Sequence, residues 1–257
     1  MYNMALYFIG IGLSDEKDIT LKGLDLVRAS DIVYLENYTS VLSVDKEKLE
    51  KLYNKKIILA DRETVEKNAE QTILKNAKDK NIAFLVVGDP FAATTHSDLL
   101  NRAEKMNIPT KIVHNASVLT SVAVTGLQLY KFGKTTSLPF SSKGFEPETH
   151  YDILSENKER NAHTLILLDL SPKENKFMTV NYAIKNILEI ENKRKHNIFN
   201  KNTFCIGCSN LGSEKKIIKA GEAGELIDFN FGLGLQCLIV PGKMHFAEQE
   251  AVKKFKA

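Results

Sequence analysis

At 257 residues, with 43% hydrophobic and 26% charged side chains, the chain has the composition of a folded protein with one large or two compact α/β cores, which excludes a disordered chain. Its 35 basic and 32 acidic residues are mixed along the sequence, and a formal charge of +3 gives too weak a field to capture a polyanion, so no nucleic acid partner is expected. No run approaches the ~20 apolar residues of a membrane span, Met1 to Gly12 lacks signal-peptide regions, and three cysteines without an export signal point to a reducing, cytoplasmic setting.

In chain order, the apolar run Ala5 to Ile11 predicts a strand, and Thr20 to Ala29, with Leu21, Leu24 and Val27 at helical spacing, a helix. Ile32 to Leu35 reads as a strand, Val44 to Tyr53 as a helix, Ile57 to Leu59 as a strand and Val65 to Asp79 as a helix with a polar outer face. Ile82 to Val87 is a buried strand ending in Gly88, Asp89 and Pro90. Ser97 to Met106 is helical, Thr110 to Val113 a strand, and Ser117 to Thr125 a helix stopped by Gly126. Strands apolar throughout and separated by helices imply a mostly parallel, doubly wound sheet covered on both faces.

A stretch rich in Ser, Pro, Gly and Thr, Thr135 to Thr149, marks a change of texture, and the boundary is expected between an N-terminal domain of residues 1–113 and a C-terminal domain of residues 114–257. The second half predicts a helix over Thr149 to Asn161, a strand over Thr164 to Leu168 and a long helix over Thr179 to His196. Phe204 to Cys208 and Lys215 to Ala220 pair as a hairpin, Cys237 to Val240 is a last strand, and a helix follows from Phe246, so this sheet is mixed.

Gly10 and Gly12 remove Cβ atoms that would keep a ligand from the backbone. A dinucleotide fingerprint needs a third glycine where Asp15 stands, so a nicotinamide enzyme is not expected, although Glu36 sits where a ribose-binding acid belongs. The loop Gly88 to His96 lies at the carboxyl end of a buried strand, where open α/β sheets bind ligands; it reads equally as a ligand loop and as a capping turn. Cys205 and Cys208 lie in a strand, away from the helix N-terminus a redox pair prefers and without a full zinc ligand set; the six histidines have no metal spacing, so no metal is expected. The sequons at Asn37 and Asn115 read as chance matches.

LYFIGIGL from Leu6, DITLKGL from Asp18, GDPFAATTH from Gly88, HNASV from His114, GLQLYKFGK from Gly126, HTLILLDL from His163 and VPGKMH from Val240 occur in the order found in the diphthine synthases, and on these segments the chain resembles that family. The resemblance implies a tetrapyrrole methylase-like fold of two α/β domains with S-adenosylmethionine in the cleft between them, S-adenosylhomocysteine as its product, no metal, and a homodimer. It also implies the cofactor contacts Leu13, Asp89, Ala92, Ser117, Val118, Leu168, Leu211 and Gln236. Leu211 stands where the family more often has a small residue, and Gln236 where relatives often have histidine.

The implied activity is methylation of the 3-amino-3-carboxypropyl-histidine of translation elongation factor 2 in diphthamide biosynthesis, giving diphthine or its methyl ester. Segments such as YLENYTSVL from Tyr34 look closer to the eukaryotic, ester-forming members. A precorrin-type methylase of the same superfamily and a catalytically idle binding module are the alternatives. The sequence identifies no catalytic residue; His96 and His245 are the histidines beside polar groups in matching motifs, and Tyr38 and Phe91 are aromatics placed to favour a methylated cation.

Overall fold

The computed structural model describes residues 4–142 and 144–256; Met1 to Asn3 of the opening segment, Lys143 of the Ser-rich stretch and Ala257 lie outside the described residues. The chain separates into two units, Met1–Ser121 and Val122–Ala257.

In the first unit the strands are β1 (Leu6–Gly10), β2 (Ile32–Glu36), β3 (Ile57–Ala60), β4 (Ile82–Val86) and β5 (Thr110–Val113). They form one sheet of order β3-β2-β4-β1-β5 in which every pairing is parallel. The path from β1 through α1 (Leu21–Ala29), β2 and α2 (Lys46–Tyr53) to β3 runs toward one edge; α3 (Ile73–Ala77) and α4 (His96–Lys105) return it through β4 to β5. Right-handed crossovers in opposite directions must lie on opposite faces. Strand alternation matches this: Tyr7, Ile9 and Ile11 pack with Leu26, Val27 and Leu49, while Leu6 and Phe8 pack with Ile73, Leu74 and Leu99. Burying such side chains contributes about 1.5–3 kcal/mol each, which is why both faces of every central strand are apolar.

Thr20 caps α1 by accepting from the Gly23 amide at 3.0 Å, the start expected from the sequence. The helix expected over Val65 to Asp79 is instead broken into a π turn (Glu63–Lys67), a 3-10 turn (Ala69–Gln71) and the short α3. The break is at Thr72, whose backbone leaves the helical region (φ −122°, ψ −91°) and whose hydroxyl donates to the Asn68 carbonyl at 2.6 Å.

The second unit has a mixed sheet of order β11-β10-β12-β7-β6, from β6 (Thr136–Leu138), β7 (Thr164–Leu168), β10 (Phe204–Ser209), β11 (Ile217–Glu222) and β12 (Gln236–Val240). In this sheet β6 and β7 pair in parallel, while β12 pairs antiparallel with both β7 and β10, and β10 and β11 form an antiparallel hairpin joined by residues 210–216. A two-stranded ribbon, β8 (Leu170–Ser171) and β9 (Lys176–Phe177), leads into α7 (Val180–Arg194), which covers the sheet with Val180, Ala183, Ile184 and Ile187. With α6 (Thr149–Glu159) and α8 (Ala223–Leu226) this makes the expected mixed α/β layer, closed by α9 (Phe246–Val252). Among the described residues no helix is long and apolar enough to cross a membrane.

Candidate functional site

In the first unit the carboxyl ends of the adjacent strands β4, β1 and β5 release three loops, the position at which open parallel sheets bind ligands. The loops are tied by chain-to-chain bonds. Gly12 and Gly88 form a bridge, with the Gly88 amide donating to the Gly12 carbonyl at 2.7 Å. Asp18 Oδ2 accepts from the amides of Leu13 and Ser14 at 3.1 and 2.7 Å. The Asn115 side chain donates to the carbonyls of Gly10 and Asp18 at 3.0 and 2.9 Å, fastening the β5 loop to the β1 loop.

Gly10 and Gly12 are set by this packing. A Cβ on Gly10 would stand 2.6 Å from the Gly88 carbonyl oxygen and 2.8 Å from Asn115 Cβ, and one on Gly12 (φ +79°) would stand 2.3 Å from Asp18 Cβ. The space expected for a ligand is filled by the chain. Gly88 differs: its φ of +80° favours glycine, but a Cβ there meets only ordinary contacts, Leu13 Cδ2 at 3.7 Å, the Ala116 carbonyl at 3.8 Å and Ser117 Cα at 3.9 Å. Leu13 and Ser117, named by resemblance, therefore flank the open side of the Gly88 turn.

Asp89 follows that turn and is mostly buried. Its Oδ1 accepts from the Phe91 amide at 3.0 Å; its Oδ2 accepts from the Asn115 amide at 3.1 Å and meets His114 Nδ1 at 2.8 Å. With two acceptor positions per oxygen, Oδ1 keeps one for a further donor. Ala92 is half-buried, its amide bonded to the Asp89 carbonyl at 3.3 Å. Ser117 is buried just before α5 (Val118–Ser121), and Val118 is half-buried at the start of that turn. The loops thus gather Leu13, Asp89, Ala92, Ser117 and Val118 at one edge of the first sheet.

The other three expected contacts meet at one end of the second sheet. Cys237 pairs with Leu167 and Gln236 with Ser209, which brings Gln236 alongside Leu168, with Leu211 two residues beyond Ser209. Leu168 and Leu211 are buried. The Gln236 amide is committed within the unit: its Oε1 accepts from the Val180 amide at 2.9 Å, capping α7, and its Nε2 donates to the Gly232 carbonyl at 3.0 Å.

Groups around these sets have structural tasks. Buried Glu36 accepts from the amides of Tyr38 and Thr39 and from the Thr39 hydroxyl, so the acid placed for a ribose instead closes its own loop; burial raises its pKa despite those bonds. His96 is fully buried, with Nδ1 3.1 Å from the Pro90 carbonyl; burial pushes its pKa down to about 4 and keeps it neutral. The Tyr38 ring carries the Arg62 guanidinium 5.3 Å from its centroid, and the Phe91 ring packs tilted against Phe8 at 5.5 Å. Cys205, Cys208 and Cys237 are buried in strands, the last two directly opposite one another, and burial raises the Cys205 thiol. Among the described residues no group of three or more His, Cys, Asp or Glu side chains is placed to hold a metal ion.

The sequence reading missed two organising residues. Asn115 reads as a sequon, and its signal lay in the polar HNAS run directly after a buried strand. Glu248 falls in the helix expected from Phe246, with no role assigned to it there; it is fully buried in α9, accepting from the Gln128 amide at 2.9 Å, His163 Nε2 at 3.0 Å and the His245 amide at 2.7 Å, and pairing with Lys131.

The sequence model of the tetrapyrrole (corrin/porphyrin) methylases matches residues 5–227. The diphthine methyl ester synthase of Dictyostelium discoideum is 44% identical over 270 residues, covering 98% of each chain. The diphthine synthase of Methanosarcina mazei is 47% identical over 256 residues, covering 97% of this chain and 95% of its own. The crystal structure of an Entamoeba histolytica protein assigned as a diphthine synthase matches with a TM-score of 0.92 at 40% identity, covering 99% of each chain.

Proposed function

The chain belongs to the tetrapyrrole (corrin/porphyrin) methylase family and, within it, to the diphthine synthases, and from that premise we propose that it methylates the 3-amino-3-carboxypropyl-histidine of elongation factor 2 with S-adenosylmethionine. The observation that carries the proposal is identity of 44% and 47%, spread over nearly the whole chain, to proteins named for this step of diphthamide biosynthesis. Relatives of both product names match, and the eukaryotic character of the YLENYTSVL segment favours the methyl ester as the final product. The reading carries with it a homodimer acting in the cytoplasm.

The residues present suit the cofactor. The turn at Gly88, open beside Leu13 and Ser117, offers a largely apolar wall with backbone amides and carbonyls able to read an adenine edge. The remaining acceptor position on Asp89 Oδ1 suits a hydroxyl or an ammonium, and Leu168 and Leu211 are the apolar contacts that the resemblance assigns. When bound, S-adenosylmethionine supplies an electrophilic methyl group on a sulfonium. The task left to Leu13, Asp89, Ala92, Ser117, Val118, Leu168, Leu211 and Gln236 is to hold it, exclude water and align the acceptor.

Calorimetric titration with S-adenosylmethionine is expected to show saturable binding that Leu13→Asp or Ser117→Trp weakens at least about tenfold, a loss of about 1.4 kcal/mol. Wild-type affinity in both variants would remove these residues from the cofactor site.

A further inference from the structure

We infer that His114, held by Asp89, is the proton acceptor that readies the substrate amine for successive methyl transfers. The inference rests on the functional reading above and adds to it the residue that receives the proton.

The geometry is that of an oriented imidazole. His114 Nδ1 lies 2.8 Å from Asp89 Oδ2. An ionised carboxylate only accepts, so Nδ1 carries the hydrogen and the lone pair is on Nε2. The carboxylate is itself fixed by the amides of Phe91 and Asn115, so the imidazole is held from a rigid base. The His114 side chain is 71% exposed while that of Asp89 is 12% exposed, which places a supported base at the open edge of the first sheet. It immediately precedes Asn115, which ties the loops, and stands three residues before Ser117.

The other five histidines are built differently. His96 and His150 are fully buried, and His163 is buried with both nitrogens engaged, Nε2 by Glu248 and Nδ1 by the Gly242 amide. His245 caps α9. The His196 ring packs against Tyr151. Only His114 is hydrogen-bonded to a carboxylate within the loops that carry the expected cofactor contacts.

The step balances without any co-reactant. An N–H bond of the substrate ammonium breaks, its electron pair stays on nitrogen, and the proton moves to Nε2. The resulting imidazolium is stabilised by the adjacent Asp89 carboxylate and returns its proton to water. Each of the first three methyl transfers to the amine needs such a deprotonated nitrogen. Transfer to the carboxylate, already ionised, does not.

The test uses the full-length protein and elongation factor 2 bearing the aminocarboxypropyl histidine, with single-turnover rates read by mass spectrometry. His114→Ala is expected to slow transfers to the amine by about a hundredfold, to leave S-adenosylmethionine affinity within about twofold, and to spare methylation of the carboxylate when a preformed trimethylated substrate is supplied. Added imidazole should accelerate the alanine variant. His114→Asn, which restores an N–H toward Asp89 but has no lone pair in the Nε2 position, should stay as slow as alanine. Nitrogen NMR of the unliganded protein should report the Nδ1–H tautomer for His114 and its loss in Asp89→Asn. Wild-type amine methylation in either the alanine or the asparagine variant overturns the inference, as does failure of imidazole to accelerate the alanine variant. A wild-type protein that leaves the substrate unmethylated contradicts instead the functional reading beneath it.

Discussion

Glu248→Gln is expected to destabilise the second unit by about 3–5 kcal/mol, the usual cost of removing one partner from a buried ionic network. The carboxylate is fully buried and gathers the Gln128 and His245 amides, His163 Nε2 and the Lys131 ammonium. A glutamine keeps one acceptor oxygen but turns an amine toward the Lys131 ammonium and the His245 amide, leaving donors facing donors and a half-buried ammonium without its counter-ion. Chemical denaturation should register the loss; a change below about 1 kcal/mol would mean that the network is not the hub its geometry describes.

The same carboxylate gives the unit a pH signature. Burial works to raise the Glu248 pKa, but the Lys131 pairing and the bonds from Gln128, His245 and His163 outweigh it and hold it at about 2. Against an unfolded value of about 4.3, the folded state favours the ionised form, so this contribution is complete above about pH 4.3 and disappears as pH falls through about 2. His163 acts in the same direction: burial lowers its pKa despite the Glu248 bond, so acid works against its neutral form. Glu248→Gln should therefore flatten the acid limb of the stability profile.

Gly10→Ala carries the second large effect. Its Cβ would meet the Gly88 carbonyl oxygen at 2.6 Å and Asn115 Cβ at 2.8 Å, and neither is the end of a flexible side chain. Separating those loops should cost about 1–3 kcal/mol of stability as overpacking and weaken S-adenosylmethionine at least about tenfold, because the Gly88 turn and Asn115 set the positions of Asp89 and Ser117. Gly88→Ala is the matched control: it has room, and its strain is that of a left-handed backbone, about 1–2 kcal/mol. If Gly10→Ala were as stable as the parent and lost only ligand binding, the glycine would be there for the ligand rather than for the chain.

These two residues mark how far the sequence could be read. The wholly apolar strands around Phe8 and Phe84 announced a sheet covered on both faces, while the loop after Gly88 read equally as a ligand loop and as a capping turn until the resemblance favoured the first. The role of Gly10 was not recognisable, since an absent Cβ looks the same whether ligand or chain fills the space. Glu248 was hidden for a related reason: a glutamate early in a helix usually faces water, and its partners Gln128, Lys131 and His163 lie far away in sequence. The GLQLYKFGK, HTLILLDL and VPGKMH segments, quoted for their resemblance, converge on this one carboxylate through Gln128, Lys131, His163 and His245. Part of what makes the chain look like its relatives is therefore a buried polar node. The broken helix at Thr72 escaped for a local reason, because a side-chain bond to the preceding turn leaves hydrophobic spacing unchanged.

The central claim is the methylation of elongation factor 2, and the most direct measurement is mass spectrometry of its modified histidine peptide. The factor carrying the 3-amino-3-carboxypropyl histidine is incubated with this protein and S-adenosylmethionine. The peptide is expected to gain methyl groups on the amine up to the trimethylammonium, followed by an alkali-labile methyl ester on the carboxylate. A peptide without added methyl groups, from a protein that binds S-adenosylmethionine, would contradict the account.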